Sequence, residues 1–198
     1  MKIAVCIRQG LDGEINPFDA SAYEEALRIP NAEVTLVSMG AMSAKEFLHG
    51  LTRLGATRAI LLSDRAFTGA DTLATAYTLS LALRKLSPDL VFCGRQTLVG
   101  DTAQTGPMLS VLAEYSLITN VMKIENISGG EVVCQTREEG ECRAKLPALL
   151  TLERISSLRL PRLRSRLGEI EVWDGEYLGA DTSKTGLAGS PTRVIKTF

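Results

Sequence analysis

The stretch Leu90-Val-Phe-Cys-Gly94-Arg-Gln-Thr-Leu-Val-Gly100-Asp-Thr-Ala-Gln-Thr-Gly106-Pro107 opens on four apolar residues, passes three glycines and leads into Met108–Glu114, which has helical spacing. Four apolar residues without alternation read as a strand buried on both faces. A buried strand that turns through glycines into a helix is half of a parallel crossover unit. Moving outward, comparable runs stand at Ile3–Ile7, Val34–Met39 and Ala59–Leu62. Between them, Phe47, Leu48, Leu51 and Leu54 share one helical face, as do Leu73, Ala76, Leu79, Leu83 and Leu86. Asn16-Pro17 offers an N-cap with proline in the first turn, and Thr68 with Asp71 has capping-box spacing. Strands alternating with helices imply right-handed crossovers, hence an α/β fold: a doubly wound, mostly parallel sheet with helices on both faces.

After about Thr119 the pattern shortens. Glu131–Thr136 and Cys142–Leu152 read as a hairpin whose second arm continues through Leu146-Pro-Ala-Leu-Leu into the sheet, with Ser128-Gly-Gly130 as a turn. Glu169–Trp173 alternates as one more exposed strand, and Gly186–Phe198 reads as an extended arm. The expected organisation is therefore residues 1–168 as one α/β domain with its hairpin, and 169–198 as a C-terminal strand and arm that lies on another surface.

The chain has 198 residues and a formal net charge of −1, which disfavours a nucleic-acid binder, and its 45% hydrophobic content suits a folded globular chain. The apolar start Ile3–Ile7, closed by Arg8, is too short for a signal-peptide core or a membrane span, so the expected location is the cytoplasm, without membrane insertion. Cys6, Cys93, Cys134 and Cys142 have no metal-like spacing, and His49 is the only histidine. No nucleophile with a base and no carboxylate pair emerges, so no catalytic or metal-ligating residue is expected and binding is favoured over catalysis.

In an open parallel sheet, ligands bind beyond the carboxyl ends of the strands. Gly94, Gly100 and Gly106 permit close backbone approach there, Thr97, Thr102 and Thr105 add hydroxyls, and the following helix N-terminus suits a phosphate. From spacing alone the segment is equally a strand-to-helix turn in which Asp101 or Thr102 caps the helix. It is neither a P-loop nor a GxGxxG fingerprint. Cys6 to Gln9, Met39, and Asn16-Pro17-Phe18-Asp19 converge on the same edge. Asp19 suits ribose hydroxyls or plain capping; Arg8 suits a phosphate or plain solvent.

Taken together, Lys2–Gln9, Ile15-Asn-Pro-Phe-Asp19, Glu24-Glu-Ala-Leu-Arg28, Val34–Gly40, Leu54-Gly-Ala, Ala59–Ala74, Asp89–Gln96, Gly100–Pro107, Leu146–Thr151, Glu169–Asp174 and Gly186–Thr192 resemble the beta subunit of electron-transfer flavoproteins over nearly the whole chain. The resemblance implies a Rossmann-like domain of the adenine-nucleotide-binding type. It also implies a heterodimer whose alpha subunit holds most of a redox-active FAD, an electron carrier rather than an enzyme. The beta site holds AMP, or a second FAD in bifurcating, NADH-oxidising members. Carried over, the nucleotide contacts fall on Cys6, Asn16, Pro17, Phe18, Asp19 and Met39, and on Gly94, Arg95, Gln96, Thr97, Leu98, Val99, Gly100, Asp101, Thr102, Ala103, Gln104 and Thr105.

Three departures from the family pattern stand out. Family members usually carry a further segment, often a hairpin, before Asn-Pro-Phe, where here Gly10–Glu14 bridges directly. Leu98-Val99-Gly100 lacks the acidic residues usual before Asp-Thr. The segment that docks onto acyl-CoA dehydrogenase partners lacks its usual motif; Leu160, followed by Arg162, Arg164 and Arg166, is the expected anchor and basic run. A nucleotide-binding regulatory module that has lost electron transfer is the alternative. The near-zero net charge conceals a block of arginines from Arg154 to Arg166, followed by an acidic block from Glu169 to Asp181.

Overall fold

The computed structural model describes residues 1–10, 12–96 and 102–192. Its strands are β1 (Lys2–Cys6), β2 (Glu33–Met39), β3 (Arg58–Leu62), β4 (Leu90–Gly94), β5 (Ser116–Ser128), β6 (Glu131–Thr136), β7 (Gly140–Lys145), β8 (Ala148–Leu152) and β9 (Glu169–Trp173). The helices are α1 (Pro17–Arg28), α2 (Ala44–Thr52), α3 (Thr72–Leu86), α4 (Thr105–Ala113) and the single turn α5 (Gly175–Leu178). One sheet holds all nine strands in the order β7-β6-β5-β8-β4-β1-β2-β3-β9. The expected α/β, doubly wound, mostly parallel architecture is what forms.

Alternate residues of the central strands feed two cores, as the two-residue period of a strand requires. Ile3, Val5, Leu36, Leu61, Leu90 and Phe92 pack under α1 and α2 against Tyr23, Ala26, Leu48 and Leu51. Ala4, Val37, Ile60, Leu62 and Val91 face the other way, against Leu79 and Leu83 of α3 and Leu109 of α4. Tyr23 ties the first layer down: its hydroxyl donates to the Leu51 carbonyl at 2.9 Å and accepts from the Ala56 amide at 3.0 Å.

Thr68 and Asp71 do not form a capping box. Asp71 is itself the N-cap of α3, its carboxylate accepting from the Leu73 and Ala74 amides, while Thr68 closes a preceding 3-10 turn. The hairpin is larger than its sequence suggests. β5, β6 and β7 run antiparallel in succession, with the β5–β6 turn at Gly129-Gly130, both at positive φ. The second arm breaks at Leu146-Pro147, and β8 then runs parallel between β4 and β5.

β8 and β9 are joined by residues 153–168, which carry no regular structure and cross the outside of α1. Ser21 Oγ accepts from the Ile155 and Ser156 amides, Glu24 grips Arg159, and the Gly168 amide donates to Thr52 Oγ1. β9 pairs in parallel with β3, Arg58 beside Glu169 and Leu62 beside Trp173, and so closes the sheet. The described part of the arm folds back onto the same body. Leu187 N–H donates to the Thr68 carbonyl, the Asp71 amide donates to Ser190 Oγ at 2.8 Å, and Thr192 gives its amide and hydroxyl to the Asp71 carboxylate. Val194, Ile195 and Phe198 lie outside the described residues. Among those described, no helix is long and apolar enough to cross a membrane.

Candidate functional site

The chain winds from β1 outward through β2 to β3, then returns to place β4 on the other side of β1. Crossover direction therefore reverses between β1 and β4, and the two helix layers part there. At the carboxyl ends of these strands lies a cleft of about 370 Å³. Cys6 and Cys93 form its floor, and Met39 stands on the β2 side. Gly94, Arg95 and Gln96 leave β4 along one wall, and Thr102, Ala103 and Thr105 approach α4 on another. The N-termini of α3 and α4 border it; the Asp71 carboxylate caps α3, whereas no side chain among the described residues caps α4, whose dipole presents its positive end to this space. Ala103 holds φ at 53°, a left-handed conformation uncommon outside glycine, and this bend brings the loop round into α4.

Asn16, Pro17 and Phe18 sit behind this wall and build it. Pro17 begins α1 with its fixed φ. Asn16, buried, caps no amide of α1; instead its Nδ2 donates to the Gln96 carbonyl at 2.8 Å, and its Oδ1 has no partner among the described residues. The Phe18 ring lies 5.6 Å beneath the Arg95 guanidinium. Gln104 is exposed at the N-cap of α4. Thr97, Leu98, Val99, Gly100 and Asp101 lie outside the described residues.

Asp19 is a brace. Its Oδ2 accepts from the Arg8 amide at 2.9 Å and its Oδ1 from the Gly94 amide at 3.1 Å, so one carboxylate ties the ends of β1 and β4 together. Both oxygens are thus engaged within the fold. Gly94 is required by this contact: a side-chain carbon there would lie 2.7 Å from the Asp19 nitrogen and 2.7 Å from the Phe18 carbonyl carbon. Gly106 is required likewise, because a side-chain carbon would meet Thr151 Cγ2 at 2.5 Å. Both glycines also line the cleft, and the close approach seen between described residues is that of helix to strand.

Burial pushes the Asp19 carboxyl up to about 7, against the pull of the Arg8 amide, the Asn16 side chain and the Gly94 amide. Its pKa in the folded chain exceeds that in the unfolded chain, so the folded state holds an extra proton between about pH 4 and 7. Stability from this group is present in full at low pH and falls as pH rises through that window. The slope approaches about 1.4 kcal/mol per pH unit for one proton. Denaturant midpoints at about pH 5 and pH 7.5 should converge in Asp19→Asn relative to the wild type; equal pH slopes in both proteins would refute this titration.

The cleft includes residues that the sequence reading did not assign to it. Asp71, Thr72 and Thr75 of α3 line it with Val37 and Leu79. In the sequence Asp71 reads only as part of a helix cap, and Thr72 and Thr75 are not singled out.

The connection before α1 is closed tightly. Gln9 bridges to Ile15, the Gly10 amide donates to the Glu14 carbonyl at 2.7 Å, and Gln9 Nε2 donates to the Gly13 carbonyl. Arg8, exposed, still lines the cleft.

The family model described as "Electron transfer flavoprotein domain" matches residues 3–176. The chain belongs to the electron transfer flavoprotein family. Protein FixA of Azotobacter vinelandii is 42% identical over 97% of this chain and 75% of its own length. The electron transfer flavoprotein subunit beta of Thermoanaerobacterium thermosaccharolyticum is 41% identical over 96% of this chain and 78% of its own. That of Clostridium acetobutylicum is 40% identical over 96% and 77%. These relatives support a beta-subunit role in an electron carrier.

Within this electron-transfer flavoprotein framework, the segment from Arg154 to Gly168 lies on the opposite side of α1 from the cleft. Leu160 is 86% exposed and Leu163 98%, so neither is a core residue. Leu163 was not singled out from the sequence. Arg162, Arg164 and Arg166 are exposed, whereas Arg159 is committed to Glu24 at 2.9 Å. The acidic block is similarly divided: Glu171 pairs with Arg58 at 2.8 Å, and Asp174 caps α5.

Proposed function

We propose that this chain is the beta subunit of a heterodimeric, cytoplasmic electron-transfer flavoprotein that binds an adenine nucleotide in the cleft between β1 and β4. The observation that carries this reading is the cleft at the switch point, bordered by two helix N-termini and by Arg8 and Arg95. The residues suit such a ligand. Thr102 and Thr105 with the first amides of α4 would hold phosphate, and Arg95, propped on Phe18 and already beside Glu153 at 3.4 Å, would contribute part of its charge. Behind the wall, the buried Asn16 Oδ1 has no donor among the described residues. A cleft of about 370 Å³ is at the small end for ligand sites, which favours AMP over a second FAD.

The redox chemistry belongs to FAD shared with an alpha subunit; this chain contributes binding and orientation. Electrons would arrive from an acyl-CoA dehydrogenase-type partner docked through Leu160, with Arg162, Arg164 and Arg166 steering an acidic surface toward it. Denaturing the purified two-subunit complex and separating the released nucleotides by chromatography tests this reading. One FAD with one AMP is expected. Two FAD would move the reading to a bifurcating, NADH-oxidising carrier, and nucleotide without flavin to a regulatory module. A chain that pairs with no alpha subunit and releases no nucleotide would overturn it.

A further inference from the structure

The four cysteines of the chain form two facing pairs. Cys134 and Cys142 stand opposite each other across β6 and β7. Cys6 and Cys93 stand opposite each other across the parallel strands β1 and β4, on the floor of the cleft. All four are free thiols. Adjacent strands are about 4.8 Å apart, inside the window of about 4.4–6.8 Å between Cα atoms that a disulfide accepts. Both side chains of the second pair point to the α3 side of the sheet. Both line the cleft, but Cys6 is half-buried and Cys93 buried, so Cys6 is the more open of the two to solvent.

We infer that Cys6 and Cys93 are an oxidation site, a vicinal dithiol that hydrogen peroxide closes to a disulfide across the floor of the cleft. Two balanced steps achieve this. Cys6 sulfur attacks one peroxide oxygen, the O–O bond breaks, and Cys6 sulfenic acid and one water form. Cys93 sulfur then attacks the Cys6 sulfur, the S–O bond breaks, the Cys93 proton leaves with the hydroxyl as a second water, and the S–S bond forms. The protein loses two protons and two electrons, and the peroxide becomes two waters. The order follows from exposure. It agrees with the titration of Cys93, whose thiol is held well above its ordinary range by its hydrogen bond with Cys6 and by burial, leaving it the resolving partner. The other pair is not part of this cleft, and the Cys142 thiol donates to Glu139 Oε2 at 3.6 Å.

The test uses the full chain with Cys142→Ala, which removes the Cys134–Cys142 pair, treated with hydrogen peroxide and mapped by peptide mass. The expected product is a Cys6–Cys93 linked peptide two hydrogens lighter, reversed by dithiothreitol and absent in Cys93→Ala. Over-oxidation of Cys6 without a linked peptide, or both thiols left unoxidised, overturns the proposal. Because the cleft is also the proposed nucleotide site, AMP at about ten times its Kd should slow closure about tenfold by occupying the open form. A linked peptide that forms at the same rate with and without AMP upholds the dithiol and counts against the nucleotide reading, so the two fail separately.

Discussion

Gly94→Ala should lower stability by about 3 kcal/mol and, for a chain of this size, the Tm by roughly 6–12 °C. The added carbon would lie 2.7 Å from two backbone atoms of the first turn of α1, and backbone cannot rotate aside as the end of a side chain can. Relief requires α1 to move away from β4. That movement breaks the Asp19 bond to the Gly94 amide and displaces the bond from Asn16 to Gln96, two contacts that shape the cleft. AMP affinity should therefore fall together with the Tm. Gly50→Ala is the matched comparison: Gly50 sits within α2 with nothing within 4 Å of an added carbon, so alanine should stabilise by about 0.5–1 kcal/mol. Thermal unfolding and an AMP titration of both variants read the result, and a Gly94→Ala protein with wild-type Tm and affinity would remove Gly94 from this role.

Glu24→Gln should have the second-largest effect, on the far side of the same helix. The Glu24 carboxylate accepts from Arg159 Nε at 2.9 Å, from Arg159 Nη2 at 3.0 Å and from the Arg159 amide at 3.1 Å. Burial alone would raise its pKa, but the bonds from Arg159 outweigh it and hold the carboxyl below its usual range. This contribution is present above the unfolded-state pKa and is lost as pH falls through the folded one. Breaking a buried pair is costly because one charge is left uncompensated; with Arg159 about a third exposed to water, about 2 kcal/mol is expected. The pair anchors the segment that carries Leu160 and Arg162 to Arg166. Trypsin cleavage after these arginines should accelerate at least about tenfold, as expected when the local opening free energy falls by more than 1.4 kcal/mol. Unchanged cleavage and unchanged Tm would show that Glu24 does not hold the segment.

Strands β1 to β4 were legible as short apolar runs because both their faces are covered, so burial is written into every residue. β5 was not. Its thirteen residues include Asn120 at positive φ, irregular register against β6 and β8, and many exposed side chains, so no period survives. β9 was visible as a strand, but its partner was not: the pairing of Arg58 with Glu169 spans most of the chain and leaves no local mark. The site followed the same division. Cys6, Met39 and Gly94 could be placed because strand ends at a switch point define a cleft. Asp71 was hidden behind an equally good capping signal, Thr72 and Thr75 carried no signal of their own, and Gly94 serves packing as well as lining the cleft.

Asp71 occupies both places at once, on the wall of the cleft and in the grip of Thr192, the last described residue of the arm. Thermodynamic linkage then applies. Whatever free energy couples a ligand in the cleft to the seated arm must appear with equal size in the other direction, as a change in how firmly the arm is held. A partner that captures the end of this chain would thereby act as an effector of the cleft without touching it.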